Sequence, residues 1–157
     1  MPKSPKMLRD AEAMIETNHM IPVVVGAHPQ AEHSDRPIAY RLRERMSLWL
    51  SKRADEIIDP ITPMVVTDVW YLNDASLRER PSISIGGPSV NAFTAYLADK
   101  LPSVFAIDDV LMVQMDPQMS DVVATCWGQN AQETQRAVDV FCEKYLDQFM
   151  EAAVMEV

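Results

Sequence analysis

The residues whose types and spacing could do chemistry gather at a few places along the chain. The most informative is Gly86-Gly87-Pro88-Ser89-Val90-Asn91, which follows the short run Ser82 to Ile85 without a gap. Gly86 and Gly87 permit positive φ and a close approach to the backbone, and Pro88 suits the first position of a helix. On that reading the amides of Ser89, Val90 and Asn91 point out of a helix start, where the dipole adds partial positive charge. Such an end can hold a phosphate, sulfate or carboxylate. The lysine of a P-loop and the third glycine of a dinucleotide fingerprint are missing, and no cofactor is expected. The same residues also suit a plain strand-to-helix turn, with Ser89 and Asn91 satisfying local backbone groups.

His28 follows a strand-like run and His33 comes five residues later, so that with Asp35 or Asp68 a metal or acid–base pair is conceivable. Histidines in one polar loop are more often solvated than ligating, and no metal is expected. Asp68, in Thr67-Asp68-Val69-Trp70, becomes a general base if the surroundings desolvate it, because burial raises a carboxyl pKa. Otherwise it is an ordinary turn carboxylate. Cys126 and Cys142 have neither a short paired spacing nor a neighbouring histidine, which argues for buried, reduced thiols rather than zinc. Neither Ser84 nor Ser89 sits in a Gly-x-Ser-x-Gly elbow, so a serine hydrolase is not supported.

The stretch Ile85-Gly86-Gly87-Pro88-Ser89-Val90-Asn91 resembles a glycine-glycine-proline-x-x-asparagine segment of some surface-layer and cell-wall-binding domains. The likeness covers seven residues, and no function is carried over from it. Met1 to Asp10 is polar and lacks the apolar stretch of the export signal those proteins carry.

The elements that must position these residues follow from periodicity and punctuation. Ser4-Pro5 starts a first helix to about Thr17, with Met7, Ala11, Met14 and Ile15 at helical spacing. Ile21 to Gly26 reads as a strand buried on both faces, and Gln30 to Pro37 as a polar loop. From Arg36 to Ala54 the apolar positions Ile38, Leu42, Met46, Trp49 and Leu50 trace one helical face. Pro60 and Pro63 break that pattern, and Met64 to Trp70 supplies a second strand. Asp74 caps a short helix, Ala75 to Arg80. Ser82 to Ile85 is the third strand, and the helix after the glycines runs to Lys100. Val110 to Met115 and Val122 to Trp127 are joined too closely for a parallel crossover and form an antiparallel hairpin, expected at a sheet edge. That hairpin is expected to put Cys126 on the rim opposite the Gly-Gly-Pro loop. Asn130 and Glu133 open a long final helix with Val138, Phe141, Tyr145 and Phe149 on its buried face.

Strands alternating with helices imply a three-layer α/β sandwich, a mostly parallel sheet of about five strands with a C-terminal antiparallel hairpin and a long C-terminal helix. The chain of 157 residues, 48% hydrophobic and 24% charged, is expected to form a single domain over 1–157. Its longest apolar run, Ile21 to Ala27, is far short of the roughly twenty residues a membrane span needs. With 23 acidic against 14 basic residues the net charge is −9, which disfavours nucleic acid. Arg36, Arg41, Arg43, Arg45, Lys52 and Arg53 read as the solvated face of a helix.

The expected function is binding of a small anionic or polar ligand by Gly86, Gly87, Ser89, Val90 and Asn91, with His28 and Asp68 across the rim. A hydrolase- or transferase-type enzyme at the same rim is one alternative, with Asp68 or His28 as acid–base group. A structural or homo-oligomeric module with a methionine-rich contact surface is another, the eleven methionines including Met112, Met115, Met119, Met150 and Met155. The expected setting is cytoplasmic, with no membrane or nucleic-acid partner.

Overall fold

The computed structural model describes residues 16–57 and 59–155. The expected first helix lies almost wholly outside them; Thr17 itself opens a 3-10 turn, Thr17–His19. The strands are β1 (Met20–Val25), β2 (Thr62–Thr67), β3 (Ser82–Ile85), β4 (Ser103–Ile107), β5 (Leu111–Met115) and β6 (Val123–Gly128). They form a single sheet in the order β2-β1-β3-β6-β5-β4. β2, β1, β3 and β6 are parallel, while β5 runs antiparallel to both β6 and β4. The helices are α1 (Pro29–Ser51), α2 (Asp68–Leu72), α3 (Ala75–Arg78), α4 (Ala92–Leu97), α5 (Ala131–Lys144) and α6 (Leu146–Met155).

Side-chain alternation along the strands divides the interior into two cores. Ile21, Val23 and Val25 of β1 pack with Ile38, Leu42, Phe141 and Phe149 in the core beneath α1, α5 and α6. Met20 and Val24 point the other way, to Tyr71, Leu77, Phe93 and Leu97 beneath α2, α3 and α4. A strand buried on both faces cannot show polar alternation, which is why β1 reads as a continuous apolar run. The fold is the three-layer α/β arrangement with a mostly parallel sheet. Among the described residues no helix is long and apolar enough to cross a membrane.

Several boundaries differ from the expectation. The sheet has a sixth strand, β4, which takes the edge and leaves the antiparallel β5 inside. β4 is short and largely exposed, so it lacks a buried strand's apolar signature. Gln30 to Pro37 is not a loop but the first turns of α1. His28 caps that helix by accepting from the Gln30 amide at 3.1 Å, and Pro29 begins it. Pro37 removes one helical donor, yet Ala31, Asp35, Ile38 and Leu42 lie on one buried stripe that carries the helix through. β2 stops at Thr67, which caps α2 by accepting from the Trp70 amide at 3.2 Å. The long final helix is two helices broken at Tyr145, whose hydroxyl donates to the Val104 carbonyl at 3.0 Å. Cys126 pairs in register with Ile85 of β3, so it stands on the same rim as the Gly-Gly-Pro loop rather than the opposite one.

Candidate functional site

The carboxyl ends of β1, β2, β3 and β6 share one rim, where each leads into a loop or helix. The Gly-Gly-Pro loop lies there, but the amides of Val90 and Asn91 turn back onto the loop itself. Val90 and Asn91 donate to the Gly87 carbonyl at 3.2 and 3.0 Å, closing a turn ahead of the helix. The helix begins only at Ala92, with Asn91 as its cap. The Asn91 oxygen accepts from Phe93 and Thr94 at 2.9 and 3.2 Å, and its amide nitrogen donates to the Val24 and Ile85 carbonyls at 3.2 and 2.9 Å. Asn91 thus serves as a buried tie between β1, β3 and α4.

The anion such a helix start attracts is supplied by the chain itself. Asp68 accepts from the Ala92 amide at 2.8 Å with one oxygen, and from Ala27 at 2.9 Å and Val69 at 2.8 Å with the other. Its carboxylate therefore joins the loops after β1, β2 and β3. Beside it the crevice between β1 and β3 is closed, since a Cβ on Gly26 would lie 1.8 Å from the Val90 carbonyl oxygen. His28 is exposed and engaged as the α1 cap, and His33 lies exposed on α1. Neither His28 nor Asp68 borders the cavity that lies beyond the Gly-Gly-Pro loop.

The open space lies one strand further along, between the loops after β3 and β6. A cavity of about 60 Å³ is bounded there by Gly87, Ser89 and Val90 on one side, Gly128 to Ala131 on the other, and the first turns of α1 and α5. One ionisable side chain faces it: Asp35, from the buried stripe of α1, only 5% exposed. Among the described residues Asp35 has no hydrogen bond or ion pair. Burial pushes its carboxyl up to about 6 from the ordinary 3.8. Gly86 makes room for it. A Cβ there would lie 2.3 Å from the Asp35 Oδ2, and Gly86 adopts φ +107°, where an L side chain is strained.

Of the residues expected to bind, Gly87, Ser89 and Val90 line this cavity, and Gly86 accommodates its carboxylate. Asn91, Asp68 and His28 do not line it and hold the surrounding backbone instead. Asp35 entered the sequence reading only as a partner for the histidines. The signal that finds it is its place on the α1 stripe, four residues after Ala31 and three before Ile38, where a core side chain belongs. The thiol of Cys126 is fully buried and raised well above the ordinary range by desolvation, which makes it a packing group rather than a nucleophile. Among the described residues no group of three or more His, Cys, Asp or Glu side chains is placed to hold a metal ion. No protein-family model matches this chain, and no curated protein matches it in sequence.

Proposed function

We propose that this protein binds a small polar ligand in the cavity between the β3 and β6 loops, with Asp35 as the recognising group. The observation that carries this reading is a carboxylate 5% exposed, facing a cavity and without a partner among the described residues. An unpaired buried carboxylate is costly, and such groups concentrate where a ligand completes their hydrogen bonds. The lining supports the same reading, because Ser34, Ser89, Gln30, Gln129 and Asn130 offer polar atoms that fix orientation. The anion-holding version of the Gly-Gly-Pro loop has less support, since Asp68 already occupies the Ala92 amide and Gly87 the amides of Val90 and Asn91.

A hydrolase or transferase at this rim is a second reading, favoured by one observation. A carboxyl titrating at about 6 can exchange a proton near neutral pH.

Amide NMR during titration with ammonium, glycerol and phosphate tests the binding reading. Shifts confined to Gly87, Ser89 and Gly128 to Ala131 with one of these probes, and lost in Asp35→Asn, are the expected result. Spectra unchanged by all three, in wild type and variant alike, would overturn it.

A further inference from the structure

We infer that the outer edge of β4 receives an extended, basic peptide segment of a partner protein, which adds a strand to the sheet and sets one large apolar side chain into a hollow beside that edge. The two edges of the sheet differ. β2 carries Pro63, whose lack of an N–H blunts an edge. β4, Ser-Val-Phe-Ala-Ile, has neither proline nor charge, and Ser103, Ala106 and Ile107 are exposed. Its register breaks between Ser103 and Phe105, and there the Val104 carbonyl accepts from the Tyr145 hydroxyl at 3.0 Å. Beyond the break, Phe105 to Ile107 pair regularly with Val113 to Leu111 on the inner side and have no strand on the outer side among the described residues. Alternate N–H and C=O groups of such an edge point outward and can template another strand.

The hollow lies against this stretch. It measures about 440 Å³ and is lined by Ala106, Met112 and Trp127 beside the Asp108–Val110 turn. Ala106, Met112 and Trp127 are register partners across β4, β5 and β6, so they form one row on the sheet. Val113 and Cys126, next to them along β5 and β6, belong to the core beneath α1, α5 and α6, which puts the row on the opposite face. Further along that face Gln114 is buried and donates to the Ala98 and Leu101 carbonyls. The row itself is open, with Met112 and Trp127 half-buried and Ala106 exposed. Because Ala106 is small, a side chain facing the same way on an added strand can lean across it onto Met112 and Trp127.

Charge and size define the occupant. Asp108 and Asp109 are exposed where the hollow meets the end of β4, and neither has an ion pair among the described residues. With the net charge of −9 they draw a cationic segment to this edge. Cations stand toward the other end: Lys100 lies shortly before β4, and the Lys144 Nζ is 5.3 Å from the centre of the Phe105 ring. In the antiparallel alignment, the more stable one per residue, the basic residues of the incoming segment therefore precede its apolar residue. A second copy of this chain is a poorer occupant. Its own β4 side chains on the hollow face, Ser103 and Ala106, are too small to fill 440 Å³, and two chains of like charge repel.

Amide NMR titration of the full chain with the peptide acetyl-Lys-Lys-Thr-Leu-Thr-Val-amide provides the test. Shifts are expected at Phe105 to Val110 and at Met112 and Trp127. Exchanging the peptide's leucine for alanine, or both its lysines for glutamate, should weaken binding about tenfold or more. Asp108→Lys should reverse the charge preference in favour of the glutamate peptide, and that gain also reports that the variant is folded. Leucine and alanine peptides binding alike, or shifts that map away from β4, would overturn the proposal, as would spectra unmoved by every peptide. A wild-type dimer in light scattering that Ala106→Lys dissociates would overturn it as well, because self-pairing would then occupy the edge.

Discussion

Asp35 and Asp68 stand at the same rim of the sheet and are equally hidden, each 5% exposed, yet their surroundings are opposite. Asp68 receives the amides of Ala27, Val69 and Ala92, which replace the water it gave up. Asp35 receives no hydrogen bond from the described residues and faces a cavity, and its carboxyl is pushed up to about 6. Burial alone therefore does not mark a functional carboxylate. What separates the two is the supply of donors. A carboxylate fed by backbone amides holds loops together, whereas one left facing a cavity retains its full capacity to accept, which is the feature the proposed binding role rests on.

The largest effect should come from breaking the satisfied member of the pair. Asp68→Ala leaves donors from different rim loops without an acceptor and should cost about 3–5 kcal/mol in urea denaturation. Asp68→Asn keeps one acceptor oxygen and should lose less, about 1–2 kcal/mol. A loss under about 1 kcal/mol for the alanine variant would mean that the loops hold without this carboxylate.

Gly86→Ala comes next, because it adds both a strained φ and a contact with Asp35. It should destabilise by about 2–3 kcal/mol. Adding Asp35→Ala should recover only the contact part, giving a coupling of about 1 kcal/mol in a double-mutant cycle. Strict additivity would show that the two residues do not press on each other.

The unsatisfied member should respond with the opposite sign. Its folded-state pKa of about 6 lies above the ordinary 3.8, so between those values the folded state binds more protons than the unfolded one. Its contribution to stability is therefore largest in acid and falls as pH rises from about 4 to about 6. Asp35→Asn removes that penalty. It should stabilise the protein by about 1–2 kcal/mol above pH 6, less than the full shift implies because the cavity admits water, with the gain vanishing toward pH 4. Thermal melts at several pH values check this, and a destabilised variant at neutral pH would mean that Asp35 has a partner after all. The smallest effect belongs to His28→Ala, which removes an exposed helix cap and should cost about 0.5–1 kcal/mol in urea denaturation.

Much of the scaffold was legible because its signals are local. β3 and the Asp74 and Asn130 caps stand where the residue pattern put them, and Leu111–Met115 pairs antiparallel with Val123–Gly128. β4 escaped notice because an edge strand of exposed residues carries little pattern. The first turns of α1 escaped because Pro37 and a polar run read as a loop, and that misreading concealed the position of Asp35. The rim site was legible only in part. Gly86 and Gly87 were singled out for an approach to the backbone, and Gly86 does permit one, but the approaching group is the protein's own Asp35.

From the linear chain came the helix starts at Asp74 and Asn130, the doubly buried first strand and the positive φ that Gly86 adopts. All of these depend on neighbours within a few residues. Which aspartate is satisfied could emerge only in three dimensions. The amides that meet Asp68 belong in part to residues 41 and 24 positions away, delivered by the adjacency of β2, β1 and β3. The insertion of β6 beside β3 opens the space that Asp35 faces. Strand order is a property of the whole packed sheet, and no local pattern of residues encodes it.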